Sequence, residues 1–127
     1  MRHGIDVTVT TLDEGTTPEL TATLVDLAQV PVPGSALDTL ALTYYQEYTL
    51  AIINSRDMQD VLQTNGVTVD EDGVLLWKMT VLDTVILNDA LETEPHIAHF
   101  AFSYTDAGDT KVGSMTIRIP IANILRD

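Results

Sequence analysis

Three histidines, nineteen acidic residues and no cysteine bound the chemistry open to this chain. A nucleophilic triad needs an activated serine or cysteine beside a histidine that a carboxylate orients. Without cysteine there is no thiolate chemistry and no Cys-ligated metal or disulfide, and the serines have no Gly-x-Ser-x-Gly elbow. His96 and His99, with Glu92 and Glu94 close by, come nearest to a metal-ligand cluster, and the chemistry they would support is metal-dependent hydrolysis. On a strand, however, residues three apart point to opposite faces, so the two imidazoles converge only across a bulge. The plainer reading is two surface or interface histidines.

Asp70-Glu71-Asp72-Gly73 offers hard oxygen ligands of the kind calcium takes, but lacks the spacing and closing glutamate of an EF-hand loop, and reads as a solvated acidic turn. Asp57 and Asp60 lie one helical turn apart behind Arg56. Paired carboxylates run acid–base hydrolysis only in a cleft that raises one pKa; near the start of a surface helix they instead favour its positive end. Trp77, Phe100, Phe102 and Tyr104 would form a stacking platform for sugars or bases if exposed, yet their period-two spacing among Leu and Ile places them in a core. No phosphate-cradling glycine loop occurs. No catalytic, cofactor-binding or metal-ligating residue is therefore assigned, and the chain is not expected to be an enzyme.

The elements that hold these residues are strands. Ile5, Val7 and Val9 alternate with Asp6, Thr8 and Thr10, and Leu20, Ala22 and Leu24 with Thr21 and Thr23, so each run predicts a strand with one buried face. Pro31 and Pro33 cannot sit in a central ladder and mark a crossing or edge segment. Leu40, Leu42 and Tyr44 resume the alternation, and a further strand is expected over 48–53. Ser55 as a cap, Met58, Val61 and Leu62 on one face, and Asn65-Gly66 as a stop predict one short helix, about residues 56–64. Val67-Thr68-Val69 and the run from Val74, joined through Asp72-Gly73, predict a hairpin with Leu75, Trp77 and Met79 inward. A helical turn or bulge is expected over 82–87. Two long strands follow, with Ala98, Phe100, Phe102 and Tyr104 inward on one, Met115, Ile117, Ile119 and Ile121 inward on the other, and a turn at 106–109. About seven short strands predict an all-β, immunoglobulin-like antiparallel β-sandwich, a single domain over 1–127, with a closed barrel as the competitor.

Size and charge agree with one folded domain. The 127 residues can bury roughly two-thirds of the surface of the unfolded chain. Six basic residues against nineteen acidic ones give a net charge of −13. No basic stripe exists for nucleic acid, and an anionic membrane surface repels such a chain. The acidity serves either solubility or steering toward a basic partner. No apolar run reaches membrane-spanning length and no signal peptide is visible at the start, so folding in a cytoplasm is expected.

Stretches from the middle and end of the chain carry a resemblance. They are Ile52-Ile53-Asn54-Ser55-Arg56-Asp57, Gln59-Asp60-Val61-Leu62, Asn65-Gly66-Val67-Thr68-Val69-Asp70 and Gly73-Val74-Leu75-Leu76-Trp77, then Asp83, Thr84, Ile86, Glu92-Thr93-Glu94-Pro95-His96 and Phe100. Over roughly two-thirds of its length the chain resembles small tailed-phage virion proteins, similar in style to the immunoglobulin-like N-terminal domain of baseplate upper proteins. The resemblance implies a non-enzymatic virion protein that docks in multiple copies on the capsid, as decoration or cement, or on the head–tail or tail apparatus. Its implied partners are other virion proteins in a homo-oligomer or symmetric assembly, with no cofactor and no direct contact to nucleic acid or membrane. Unpaired strand edges and both chain ends, 1–4 and 121–127, are the expected attachment pieces. The alternative is a carbohydrate- or host-surface-binding sandwich, which predicts solvent-facing aromatics around a groove.

Overall fold

A computed structural model describes residues 5–124. They form nine strands: β1 (Val7–Thr8), β2 (Leu12–Asp13), β3 (Glu19–Thr23), β4 (Leu37–Gln46), β5 (Gln59–Asp60), β6 (Val67–Val69), β7 (Val74–Lys78), β8 (Thr93–Asp106) and β9 (Asp109–Ala122), with single 3-10 turns at Gly34–Ala36 and Val81–Thr84. One sheet runs β1-β9-β8-β4-β5, with β2 also on β9; the other runs β3-β7-β6. All pairings are antiparallel except those of β1 and β2, which lie parallel to β9. This β3-β7-β6 order against β9-β8-β4-β5 matches the B-E-D and G-F-C-C′ order of the immunoglobulin sandwich.

Alternation fills the space between the sheets. Leu40, Leu42 and Tyr44 of β4, Ala98, Phe100, Phe102 and Tyr104 of β8, and Met115, Ile117, Ile119 and Ile121 of β9 are buried against Leu20, Val67, Val69, Leu75 and Trp77 of the smaller sheet and Leu24 just after β3. Trp77 lies at the centre, edge-on to Tyr44 with ring centroids 5.1 Å apart and to Phe100 at 5.8 Å. The β8–β9 hairpin closes through Ala107 and Gly108, both at positive φ, the geometry that matches strand twist in a two-residue turn.

Three expectations are corrected. There is no helix at 56–64: Asn54, Ser55, Met58, Gln63 and Asn65 all take positive φ, which a right-handed helix cannot include. The segment instead follows the edge of β4, with the Val61 amide on the Leu40 carbonyl and the Tyr44 amide on the Arg56 carbonyl, while its Met58 is exposed. Residues 48–53 make a turn and one isolated bridge, Ile52 to Tyr45, because the Gln46 side chain gathers the amides of Tyr48 and Thr49. The first strand is two residues long, and Ile5 and Val7 are exposed since it lies along the rim of β9. Of the chain ends expected to attach, 1–4 and 125–127 lie outside the described residues.

Candidate docking edges

Tyr44, Arg56, Asp83, Glu94 and His96 converge in the interior, along a line that the sequence does not make evident. Asp83, in the 3-10 turn, takes Arg56 Nε at 2.6 Å on Oδ1 and Nη2 at 3.0 Å on Oδ2, with Asn54 Nδ2 and the Thr80 amide completing its shell. Burial alone would raise this carboxyl, but the hydrogen bonds from Arg56, Thr80 and Asn54 hold it below the ordinary carboxylate range. The Asp83 carbonyl accepts the Tyr44 hydroxyl at 2.7 Å; that hydroxyl is also 3.0 Å from His96 Nδ1, and His96 Nε2 is 2.6 Å from Glu94 Oε2. Burial, with the Asp83 charge behind it, pushes the Tyr44 phenol well up. Burial also lowers His96 against the pull of Glu94, to whose carboxylate Nε2 donates. Glu94, which burial would raise, is brought down by His96 and by the amides of Leu87 and Asn88.

Tyr44, Asp83, Glu94 and His96 are shut off from solvent. Their work is mechanical: Asp83 ties the 3-10 turn to the segment holding Arg56, and Glu94 pins the chain at Leu87 and Asn88. His96 is thus a core residue and not a surface one. His99 lies on the opposite face of β8, half-buried, with its Nδ1 on Thr116 Oγ1 at 2.9 Å. Glu92 is exposed, and among the described residues no three metal-ligating side chains converge. Arg56 leaves Asp57 and Asp60 for the interior. Asp70 accepts the amides of Asp72 and Val74, and Glu71 takes the Ser35 amide and hydroxyl, so the acidic turn braces itself. Trp77, Phe100, Phe102 and Tyr104 are core. Two signals pointed inward: Thr80-Val81-Leu82-Asp83 fits a capping box, and the alternation of β8 run backward from Ala98 reaches His96 and Glu94.

The sandwich is less finished at its rims. Because Leu24 donates to Gly73 and Met79 to Pro18, the even-numbered residues of β3 face β7; the backbone groups of Glu19, Thr21 and Thr23 point off the edge with no strand beside them among the described residues. On β9 the carbonyls of Thr116, Arg118 and Ala122 accept amides from Asp6, Val9 and Glu14, so its even-numbered residues face outward. Below Thr116 that outward row, Thr110, Val112 and Ser114, has no neighbour among the described residues. Both open stretches border one cleft of about 770 Å³, lined by Asp6, Val7, Val25, Asp26, Leu27 and Met115 among others. Its rim is apolar and wet: Leu27 is 98% exposed and Val112 77%.

No protein-family model matches the chain, and no curated protein matches it in sequence.

Proposed function

We propose that the chain is a non-enzymatic structural protein of a tailed-phage virion, made in the host cytoplasm and docked in multiple copies on the capsid or on the head–tail or tail apparatus. The observation that carries this reading is the pair of open strand edges, β3 and the first half of β9, on either side of one apolar-rimmed cleft. Backbone groups on an open edge pair readily with another chain, and a fold whose described residues leave two such edges uncovered beside exposed Leu27 and Val112 is shaped for assembly. The sequence resemblance to phage virion proteins supplies the setting. The sealed titratable network, which no substrate reaches, supports a role without catalysis.

A carbohydrate-binding role finds less support. It calls for rings around a groove, whereas Trp77, Phe100, Phe102 and Tyr104 are inside and Tyr48, at 64% exposure, is the one aromatic mostly in solvent among the described residues. The test is direct. Virions produced from the genome that encodes the chain are purified, their proteins identified by mass spectrometry, and the chain located by electron microscopy. Presence at defined, repeated positions on the particle is expected; a protein absent from purified particles overturns the reading.

A further inference from the structure

The cleft has a charge as well as a shape. Asp6 and Asp26 stand in its lining, and no lysine or arginine does among the described residues. Asp6 Oδ2 accepts the Thr116 amide at 2.8 Å, and Asp26 Oδ1 the amides of Ala28 and Val30, which leaves Asp6 Oδ1 and Asp26 Oδ2 with no partner among the described residues. Lys111, on β9, bonds Asp106 at 3.1 Å and feels the Asp26 charge only as a weaker, longer-range attraction. The open row of β9 runs over this acidic pair. Beside it the floor is apolar, with Val7, Val25 and Met115.

From this juxtaposition we infer that the open edge of β9 takes an extended segment of a partner protein in which basic residues alternate with apolar ones. The segment pairs with the backbone of Thr110, Val112 and Ser114, in line with β1 further up the same strand. Period-two alternation then sends the apolar side chains into the cleft against Val25 and Met115 and turns the lysines or arginines to its mouth, toward Asp6 and Asp26. A second copy of this chain is the wrong occupant: each carries a net charge of −13, so edge-to-edge self-pairing sets like charges together. The inference rests on the docking role proposed above and names the chemistry of the partner.

The probe is an acetylated, amidated seven-residue peptide alternating lysine and valine, with the glutamate–valine peptide as control, titrated into the 15N-labelled protein. Hydrogen exchange at the amides of Val112 and Ser114 is expected to slow about tenfold or more on saturation with the lysine peptide, and the binding to weaken as salt rises. Val112→Pro removes an outward amide at an exposed edge position that tolerates proline, and abolishes the protection. Asp6→Asn with Asp26→Asn keeps side-chain acceptors for the local amides and lowers affinity several-fold. Equal binding of the glutamate peptide, unchanged binding in both variants, or self-association in place of peptide binding overturns the inference. A chain beginning at Ile5 is titrated in parallel; binding seen only there assigns the edge to the protein's own first residues and also overturns it. Failure here with the protein present in virions removes the partner alone, whereas absence from virions removes the function and leaves this measurement standing.

Discussion

The side-chain amide of Gln63 stands in for a neighbouring strand at Val69: its Oε1 accepts the Val69 amide at 3.1 Å and its Nε2 donates to the Val69 carbonyl at 2.9 Å. With the Thr64 carbonyl taking the Val67 amide, the outer edge of β6 is closed. The edge of β4 is closed in the same manner by the amides of Ile53 and Val61 and the carbonyls of Ala51 and Arg56. Pro120, which has no amide to offer, fills the gap on β9 between the pairings of β1 and β2. Against these closures, the rows on β3 and on β9 below Thr116 are left open among the described residues.

Gln63→Ala therefore unseals β6. The expected cost is about 1–2 kcal/mol of stability, two hydrogen bonds to a partly buried strand. Urea denaturation checks this. A variant as stable as the parent would show that Gln63 closes nothing.

Arg56 and Asp83 form a two-bond ion pair that is almost wholly buried, and Arg56 lies over the Trp77 ring at 5.4 Å. Removing one member strands the other charge in the core, so Asp83→Ala and Arg56→Met each lose about 3–5 kcal/mol. The double variant loses clearly less than the sum of the two, because no charge is left unpaired. Denaturation midpoints of the four proteins test it; strict additivity would mean that the pair is not coupled.

Acid weakens the fold in two stages. Burial holds His96 below the ordinary histidine range, and hydrogen bonds hold Glu94 and Asp83 below the ordinary carboxylate range, so each group binds protons more readily in the unfolded chain. Stability thus rises with pH wherever the unfolded state carries the extra proton. As pH falls, the His96 contribution is lost first, from about pH 6.5 downward, and those of Glu94 and Asp83 below about pH 4.5. Denaturation midpoints at neutral, mildly acidic and strongly acidic pH follow both stages, and His96→Gln flattens the first. A midpoint independent of pH through the first stage contradicts the lowering of His96 by burial.

Wherever one face of a strand is buried, the sequence was legible. The inward sets of β4, β7, β8 and β9 and the hairpin turns at Gly73 and Gly108 follow from period-two alternation and turn chemistry, and the helical turn expected over 82–87 lies at Val81–Thr84. The stretch 54–65 was misread for a physical reason. Met58, Val61 and Leu62 have helical spacing, but the segment's stability comes from tertiary bonds: Arg56 drawn to Asp83, Val61 to Leu40 and Asn65 to the Asp60 carbonyl. These outweigh a marginal two-turn helix. Asp83 was passed over because acidic residues are read as surface unless a partner is known, and Glu94 was paired with His96 only as a candidate surface metal ligand, not as its buried hydrogen-bond partner. The open edges were expected as a type of surface, but which edges are open depends on pairing between distant strands, which local sequence does not encode.

The most direct measurement of the central claim compares hydrogen exchange in the free protein and in purified virions. The amides of Thr21, Thr23, Val112 and Ser114 are predicted to exchange rapidly when the protein is free and to become strongly protected on the particle, while Val69, already held by Gln63, changes little. If all four exchange on the particle as fast as in solution, the two edges are not where this protein docks.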